Sequence, residues 1–154
     1  RPGSFRPQET LPLSKALIET AFVPTNDRQR LALALYREAI GVNSIPYKFL
    51  GFFKILNVLD SGGKAQVKRI SAVVPLLTDR DAEKRIGKLR AANVDIGKHL
   101  YVSGRCAVAH ASASGPVVNP DNHEDTGRLA LDLPLIRAIA EYLMEKELGI
   151  PRPS

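Results

Sequence analysis

The chain has 154 residues, of which 44% are hydrophobic and 6% aromatic, and its net charge is +6. This size and composition are typical of one globular domain with an aliphatic core, and the single cysteine excludes an internal disulfide framework. No apolar run approaches the roughly 18 residues that span a bilayer, so we expect a cytoplasmic protein with no membrane partner.

Residues 1–26 are rich in proline and weakly patterned. We interpret them as a linker or N-terminal arm that includes a short helix over 13–21. Because the chain begins at Arg1 rather than at methionine, we expect that an upstream domain of a longer protein is missing. Residues 27–150 then form the predicted helical domain.

The first helix of this domain is predicted from its caps and its spacing. Asn26 is a candidate N-cap for a helix over 27–40, and Gly41 is a candidate end. Apolar residues recur at helical spacing and predict the buried stripe. The stripe consists of Leu31, Ala34, Leu35 and Ala39.

A second helix is predicted over 45–59, with Ser44 as its cap and Pro46 in the tolerated first turn. Three of the five phenylalanines in the chain lie on it. These are Phe49, Phe52 and Phe53. We therefore expect this helix to be central to the core.

The third and fourth helices follow a Gly-Gly break. The third is predicted over 64–74 and ends near Pro75. Thr78 and Asp81 have the spacing of a capping box, which starts a fourth helix that runs to about Asn93. This helix is expected to bury Ala82, Ile86 and Leu89.

The last two helices complete an all-α prediction. A fifth helix over 96–111 is rich in small residues, which predicts tight contacts, and 112–127 are predicted to be a loop. A final helix over 132–148 has Asp132 as its N-cap and Pro134 in its first turn. It is expected to bury Leu133, Ile136, Ala140 and Leu143. Helices joined by short loops predict an antiparallel bundle of five to six helices.

The positive charge is concentrated in residues 64–98, which hold nine Lys or Arg against four Asp or Glu. Such a local excess attracts a polyanion, and RNA is the partner that we expect. The candidate nucleic-acid contacts are Lys64, Lys68, Arg69, Lys84, Arg85 and Lys88. The alternative is a solvated basic helix face with no partner.

One constellation on the predicted fifth helix carries chemistry. Arg105 and His110 are five residues apart, roughly 140° around a helix, so they flank a cleft rather than share a stripe. Cys106 lies one turn before His110 on the same face. An imidazole moves protons near neutral pH, and a guanidinium stabilises charge that develops on a phosphate. We therefore take Arg105, Cys106 and His110 as candidate catalytic residues for metal-independent cleavage of RNA.

Each of these three residues also has a purely structural interpretation. His110 can bond a carbonyl within the bundle, and Arg105 can pair with an acidic residue of the last helix. Cys106 can be a small core residue. No further motif adds chemistry, because the loop over 119–125 lacks calcium-loop spacing and no phosphate-binding glycine motif is present. We expect no metal and no cofactor.

The Arg-x4-His pattern on the penultimate helix of an all-α bundle resembles the HEPN superfamily. More narrowly, residues 44–54, 104–111 and 118–122 resemble the J-type protein of methylamine-utilisation clusters. The HEPN resemblance implies a homodimer in which two motifs face one cleft and cut RNA, and it assigns the two motif positions to Arg105 and His110. Nuclease members often have Asn, Asp or His after the arginine, where this chain has Cys106. This departure favours an inactive, binding or dimerising relative as the alternative.

The sequence thus leaves three functions open. The first is an RNA-directed domain that acts as a homodimer and as a metal-independent endoribonuclease. The second is a non-catalytic dimerisation or protein-interaction module linked to methylamine utilisation. The third, a small-molecule sensor in amine metabolism, depends on the resemblance alone.

Overall fold

The structure, a computed structural model, describes residue 3 and residues 21–109, 118–119 and 121–152. Within these ranges the chain forms helices and no strand, which confirms the predicted all-α class. The helices are α1 (Asp27–Gly41), α2 (Ile45–Leu59), α3 (Gly63–Val73), α4 (Arg80–Ala91), α5 (Ile96–His99), a π-helical segment (Leu100–Cys106), α6 (Ala107–Ala109) and α7 (His123–Lys146). Among them, none combines the length and the hydropathy needed to cross a membrane.

Helix α2 lies at the centre of the bundle, as its phenylalanines predict. Phe49, Phe52 and Phe53 are at most 1% exposed, and the helix packs against both α1 and α7. The close approach of α1 requires Gly51, because a Cβ atom there would lie 2.8 Å from the Cβ of Ala39. The predicted core position of this helix is confirmed.

The buried face of α1 differs from the predicted stripe. Leu31 is 51% exposed and Ala34 is also exposed, whereas Gln29 and Ala32 are buried. The Gln29 side chain donates to the carbonyl of Leu148 at 2.8 Å. This buried hydrogen bond turns Gln29 inward. The prediction that Leu31 and Ala34 face the core was therefore wrong.

Helices α3 and α4 are close to their predicted bounds. A short 3₁₀ turn over Val74–Leu76, which contains Pro75, ends α3. The N-cap of α4 is Asp79 rather than Thr78, and its carboxylate accepts from the N–H of Ala82 at 2.8 Å. The burial predicted for this helix is confirmed at Ala82, Ile86 and Leu89.

The predicted fifth helix is not a regular α-helix. Between α5 and α6, seven residues adopt the wider π-helical pattern, a feature that often marks functional sites. Gly104 lies in this segment against Phe49, and a Cβ atom at Gly104 would overlap the Phe49 ring. The guanidinium of Arg128 donates to the carbonyl of Ser103 at 2.9 Å, which joins α7 to the π segment. The expected tight contact of small residues is confirmed at Gly104.

The start of the last helix corrects the sequence prediction. Helix α7 begins at His123, within the predicted loop, and its N-cap Asn122 accepts from the N–H of Glu124 at 2.9 Å. Asp132 is therefore not a cap but a buried residue inside the helix, and Pro134 is also inside it. The predicted arm over 1–26 and its short helix lie largely outside the described residues.

Candidate nucleic-acid interface

Two of the three predicted catalytic residues lie on the π segment. Arg105 is half-buried, and its guanidinium carbon lies 5.6 Å from the centroid of the Tyr101 ring. Its Nη1 lies 4.0 Å from the sulfur of Cys106, which is also half-buried. The guanidinium therefore rests on an aromatic face in the geometry of a cation–π contact.

The third predicted catalytic residue, His110, lies outside the described residues. The pairing of His110 with Arg105 therefore stays a prediction. The same holds for the placement of Cys106 one turn before His110.

The Tyr101 ring lies where the core meets the surface. Its centroid is 6.2 Å from that of Phe53, at an interplanar angle of 56°. Gly63, the first residue of α3, makes room for the phenol, because a Cβ atom there would overlap it. Tyr101 is thus fixed by packing at one end while it stays partly exposed at the other.

A groove of about 560 Å³ opens beside Tyr101, between the start of α3 and the π segment. Its lining residues, which define the Tyr101 groove, are Gly63, Lys64, Val67, Asp95, Lys98, Tyr101 and Val102. Both lysines are exposed, so ammonium groups stand on the α3 side and on the α5 side. The carboxylate of Asp95 caps α5 and accepts from the N–H of Lys98 at 3.0 Å, so helix N–H groups partly compensate it. The groove is therefore electropositive.

A smaller cavity of about 330 Å³ adjoins the Tyr101 groove. Its lining residues, which define the His99 cavity, are Val94, Asp95, Lys98, His99, Val102 and Ser103. Three of them line both spaces: Asp95, Lys98 and Val102. The two spaces therefore lie side by side along α5.

A buried carboxylate lies in direct contact with His99. Asp132 of α7 has a side chain that is 2% exposed. Its Oδ1 accepts from Nε of Arg85 at 2.7 Å, and its Oδ2 lies 2.8 Å from Nε2 of His99. A carboxylate buried without partners is strongly unfavourable. Arg85 therefore neutralises the carboxylate. Asp132, Arg85 and His99, which define the Asp132 cluster, join α4 and α5 to α7, and their contacts orient the imidazole of His99.

The prediction that Asp132 caps a helix concealed this cluster. The spacing nevertheless carries the signal, because Asp132 lies three residues after Leu129 and four before Ile136. The side chains of Leu129 and Ile136 are fully buried, so Asp132 belongs to the same buried stripe. An acidic residue on a buried stripe requires cationic partners elsewhere in the fold. Which partners these are cannot be read from the spacing.

A family model described as methylamine utilization protein MauJ matches residues 32–145, about three quarters of the chain. The chain belongs to this family. The match extends from α1 to α7 and includes both the Tyr101 groove and the Asp132 cluster. No curated protein and no solved structure matches the chain. The narrower of the two resemblances is thus confirmed, whereas the HEPN resemblance stays a prediction.

The six predicted nucleic-acid contacts of this MauJ-family chain divide into two groups. The lysines are exposed: Lys64, Lys68, Lys84 and Lys88. The two arginines bond carboxylates, Arg69 that of Asp60 and Arg85 that of Asp132. A guanidinium that is already paired has fewer N–H donors left for a phosphate. The lysines are therefore better candidates than the arginines, and of these four it is Lys64 that lines the Tyr101 groove, whereas Lys68, Lys84 and Lys88 lie outside it.

The groove brings two exposed ammonium groups and a partly exposed aromatic ring together. Ammonium groups contact phosphates, and a partly exposed aromatic ring offers a face on which a base can stack. In the part of the chain that the structure describes, no three His, Cys, Asp or Glu side chains are placed to hold a metal ion. Two of the groove residues, Lys98 and Tyr101, were not predicted from the sequence.

Proposed function

We propose that this MauJ-family domain binds single-stranded RNA in the Tyr101 groove. The observation that carries the proposal is that Lys64, Lys98 and Tyr101 line one open groove, and that the guanidinium of Arg105 lies over the Tyr101 ring. The lysines contact successive phosphates, while a base stacks beside the phenol ring. The charge excess in residues 64–98 supports the same partner.

The catalytic form of this proposal is metal-independent cleavage of the bound RNA. Arg105 would clamp a phosphate, and Cys106 and His110 complete the predicted catalytic set. The position of Arg105 beside the groove supports this role, since a guanidinium there meets the phosphates of a bound strand. A homodimer that joins two such grooves, located in the cytoplasm, belongs to the same proposal.

A second function is a non-catalytic dimerisation or protein-interaction module linked to methylamine utilisation. Large apolar side chains exposed on the described surface are candidate contacts for such a module. They include Val23, Leu31, Tyr47, Leu76 and Leu131, each at least 51% exposed. The link to methylamine utilisation comes from the description of the family.

The binding proposal is tested with a fluorescein-labelled single-stranded RNA of mixed sequence and fluorescence anisotropy. Two double variants remove the same charge from exposed sites, Lys64→Ala/Lys98→Ala in the groove and Lys84→Ala/Lys88→Ala on α4. We expect the groove variant to weaken binding by about tenfold or more, or about 1.4 kcal/mol. The α4 variant is expected to bind nearly as well as the parent.

Equal losses in the two double variants would indicate only a diffuse attraction to a basic surface and would contradict a specific groove. An absence of RNA binding in the parent would contradict the proposal itself. The alternative function, the dimerisation or interaction module, is tested by the oligomeric state of the parent and of Leu31→Asp in sedimentation velocity. A dimer that Leu31→Asp converts to a monomer, in a chain that does not bind RNA, would favour the interaction module.

A further inference from the structure

We propose that His99, held by Asp132, is the proton-transfer group of this site and accepts the proton of an RNA 2′-hydroxyl. The inference depends on the proposed binding of RNA in the Tyr101 groove and assigns chemistry to a residue that the Arg105–His110 pattern does not include. Four observations support it: the orientation of the imidazole, the neutralisation of its Asp132 partner by Arg85, its access to solvent and the position of its cavity beside the groove.

Asp132 fixes the orientation of the imidazole. Its buried carboxylate lies 2.8 Å from Nε2 of His99 and belongs to α7, whereas His99 is the last residue of α5. A hydrogen bond from one ring nitrogen to a carboxylate sets the tautomer and the direction of the other nitrogen. With Nε2–H donated to Asp132, Nδ1 carries the free lone pair that a base needs.

Arg85 sets the charge of the cluster. Its Nε donates to the other oxygen of Asp132 at 2.7 Å, and its side chain is only 15% exposed. The guanidinium is always charged, so it already neutralises the carboxylate.

The Nδ1 atom of His99 reaches solvent. Within the described residues, the hydrogen bond to Asp132 is the one that the His99 side chain makes. Every sequestered side-chain nitrogen or oxygen of the described residues has a hydrogen-bond partner. Since Nδ1 has no such partner among the described residues, it is not sequestered from solvent, and His99 lines the His99 cavity.

The His99 cavity lies beside the Tyr101 groove. Lys98 and Val102 line both spaces, and in the proposed complex a strand whose base stacks at Tyr101 passes over these two residues and places an adjoining nucleotide at His99. The ammonium group of Lys98 lies next along the chain and can contact the phosphate of that nucleotide. The proton acceptor, His99, and the phosphate contact, Lys98, are thus consecutive residues at the end of α5.

The reaction is an intramolecular transesterification. The 2′-oxygen gives its proton to Nδ1 of His99 and forms a bond to the adjacent phosphorus, and the bond from phosphorus to the 5′-oxygen breaks. The leaving 5′-oxygen takes a proton from water. The products are a 2′,3′-cyclic phosphate and a 5′-hydroxyl, and Lys98 with Arg105 stabilises the negative charge on the phosphoryl oxygens.

The test uses the full chain and His99→Gln, in which the amide nitrogen can still donate to Asp132 while the base is lost. The substrate is an end-labelled single-stranded RNA, and its matched control carries one 2′-deoxy substitution at the cleaved nucleotide. We expect His99→Gln to bind RNA as the parent does. Its cleavage rate should fall by about 100-fold or more. The deoxy control should be uncut at that position.

The outcomes separate this inference from the proposed function. If the parent binds RNA but does not cleave it, or if His99→Gln cleaves as fast as the parent, the inference is overturned and RNA binding stands. If the parent does not bind RNA, both fall. His110→Ala is the parallel variant: loss of cleavage in it alone, with His99→Gln unaffected, would transfer the role to His110.

Discussion

At the scale of single residues, the decisive position is Asp132. A carboxylate at this place in α7 is almost completely removed from water, so its burial is tolerable only because Arg85 and His99 supply two charge-assisted or polar hydrogen bonds. The same contacts that solve the burial problem point an imidazole into a cavity. Stability and candidate chemistry thus share one carboxylate.

Replacement of Asp132 by alanine removes one partner of a buried ion pair. We expect Asp132→Ala to lower the free energy of unfolding by about 3 kcal/mol or more, because Arg85 is left largely buried without its carboxylate. Urea denaturation followed by circular dichroism measures this change. In the double variant Asp132→Ala/Arg85→Met the loss should be smaller. A loss below about 0.5 kcal/mol in the single variant, the scale of an ordinary surface substitution, would mean that the pair is not buried in solution.

Gly104 provides a second test at the residue scale. A Cβ atom there would overlap the ring of Phe49, which is itself fully buried. Gly104→Ala should therefore destabilise the fold by about 1–3 kcal/mol, the usual effect of overpacking. The matched control is Gly87→Ala in α4, where the Cβ would meet open space and the helix gains up to about 1 kcal/mol. If both variants were stabilised, the close packing of the π segment on α2 would be wrong.

At the scale of elements, α7 shows how local signals mislead. Asp132 followed two residues later by Pro134 has the sequence pattern of a helix start. The helix instead begins at His123, where Asn122 provides the cap. An internal proline leaves one carbonyl, that of Ala130, without its usual partner. Ala130 and Pro134 both line a cavity of about 440 Å³, so water can reach this part of the helix.

The contact between α1 and α7 makes a prediction about pH. Burial, and next the hydrogen bond of 2.6 Å that its hydroxyl donates to Glu141, raise the pKa of Tyr36 above the usual value of 10.0. Below pH 10 both states hold the proton and the stabilising effect is complete. As the pH rises through the higher folded pKa this stabilisation is lost, so the parent should lose stability in the alkaline range.

Tyr36→Phe lacks the hydroxyl and therefore lacks this pH-dependent stabilisation. The difference in unfolding free energy between the parent and Tyr36→Phe should therefore be largest near neutral pH and should shrink as the pH rises above 10. Urea denaturation at pH 7, 9 and 10.5 measures it, with Tyr47→Phe at an exposed position as the control. A difference that grows with pH would show that the sign of the pKa shift is wrong.

At the scale of the whole molecule, the Tyr101 groove is a product of the tertiary fold. Its two sides come from α3 and from α5 with the π segment, which are about 30 residues apart in the chain. Helix α3 packs against α5, and Gly97 permits this contact because a Cβ there would lie 2.7 Å from the carbonyl oxygen of Val67. The packing thus brings Lys64 and Lys98 to one opening.

The salt dependence of RNA binding reports on this convergence. Each phosphate contact on a single strand contributes about 0.7 to the slope of log K against log salt concentration. Lys64→Ala/Lys98→Ala should therefore reduce the slope by about 1.4, or twice that contribution. Lys84→Ala/Lys88→Ala should leave it unchanged. Anisotropy titrations from 50 to 300 mM salt measure the slope, and equal slopes in the two variants would place the phosphates elsewhere.

The sequence by itself determined the helical class, most helix bounds and the core position of α2. Those features depend on local physics, such as the cap at Asn26, the break at Pro75 and the run of phenylalanines, which act over a few residues. It also placed Arg105 on the predicted fifth helix, which is rich in small residues, and assigned positive charge to residues 64–98.

Only the tertiary structure decided which charges meet. A buried stripe in α7 accommodates Asp132 because Arg85 and His99 reach it from two other helices, and no spacing rule encodes a contact across 33 or 47 residues. Burial and hydrogen bonding likewise distinguish Arg85, which is paired with Asp132, from Lys98, which is exposed. Hydrogen bonds and desolvation act through space, so the candidate site emerged when the helices packed.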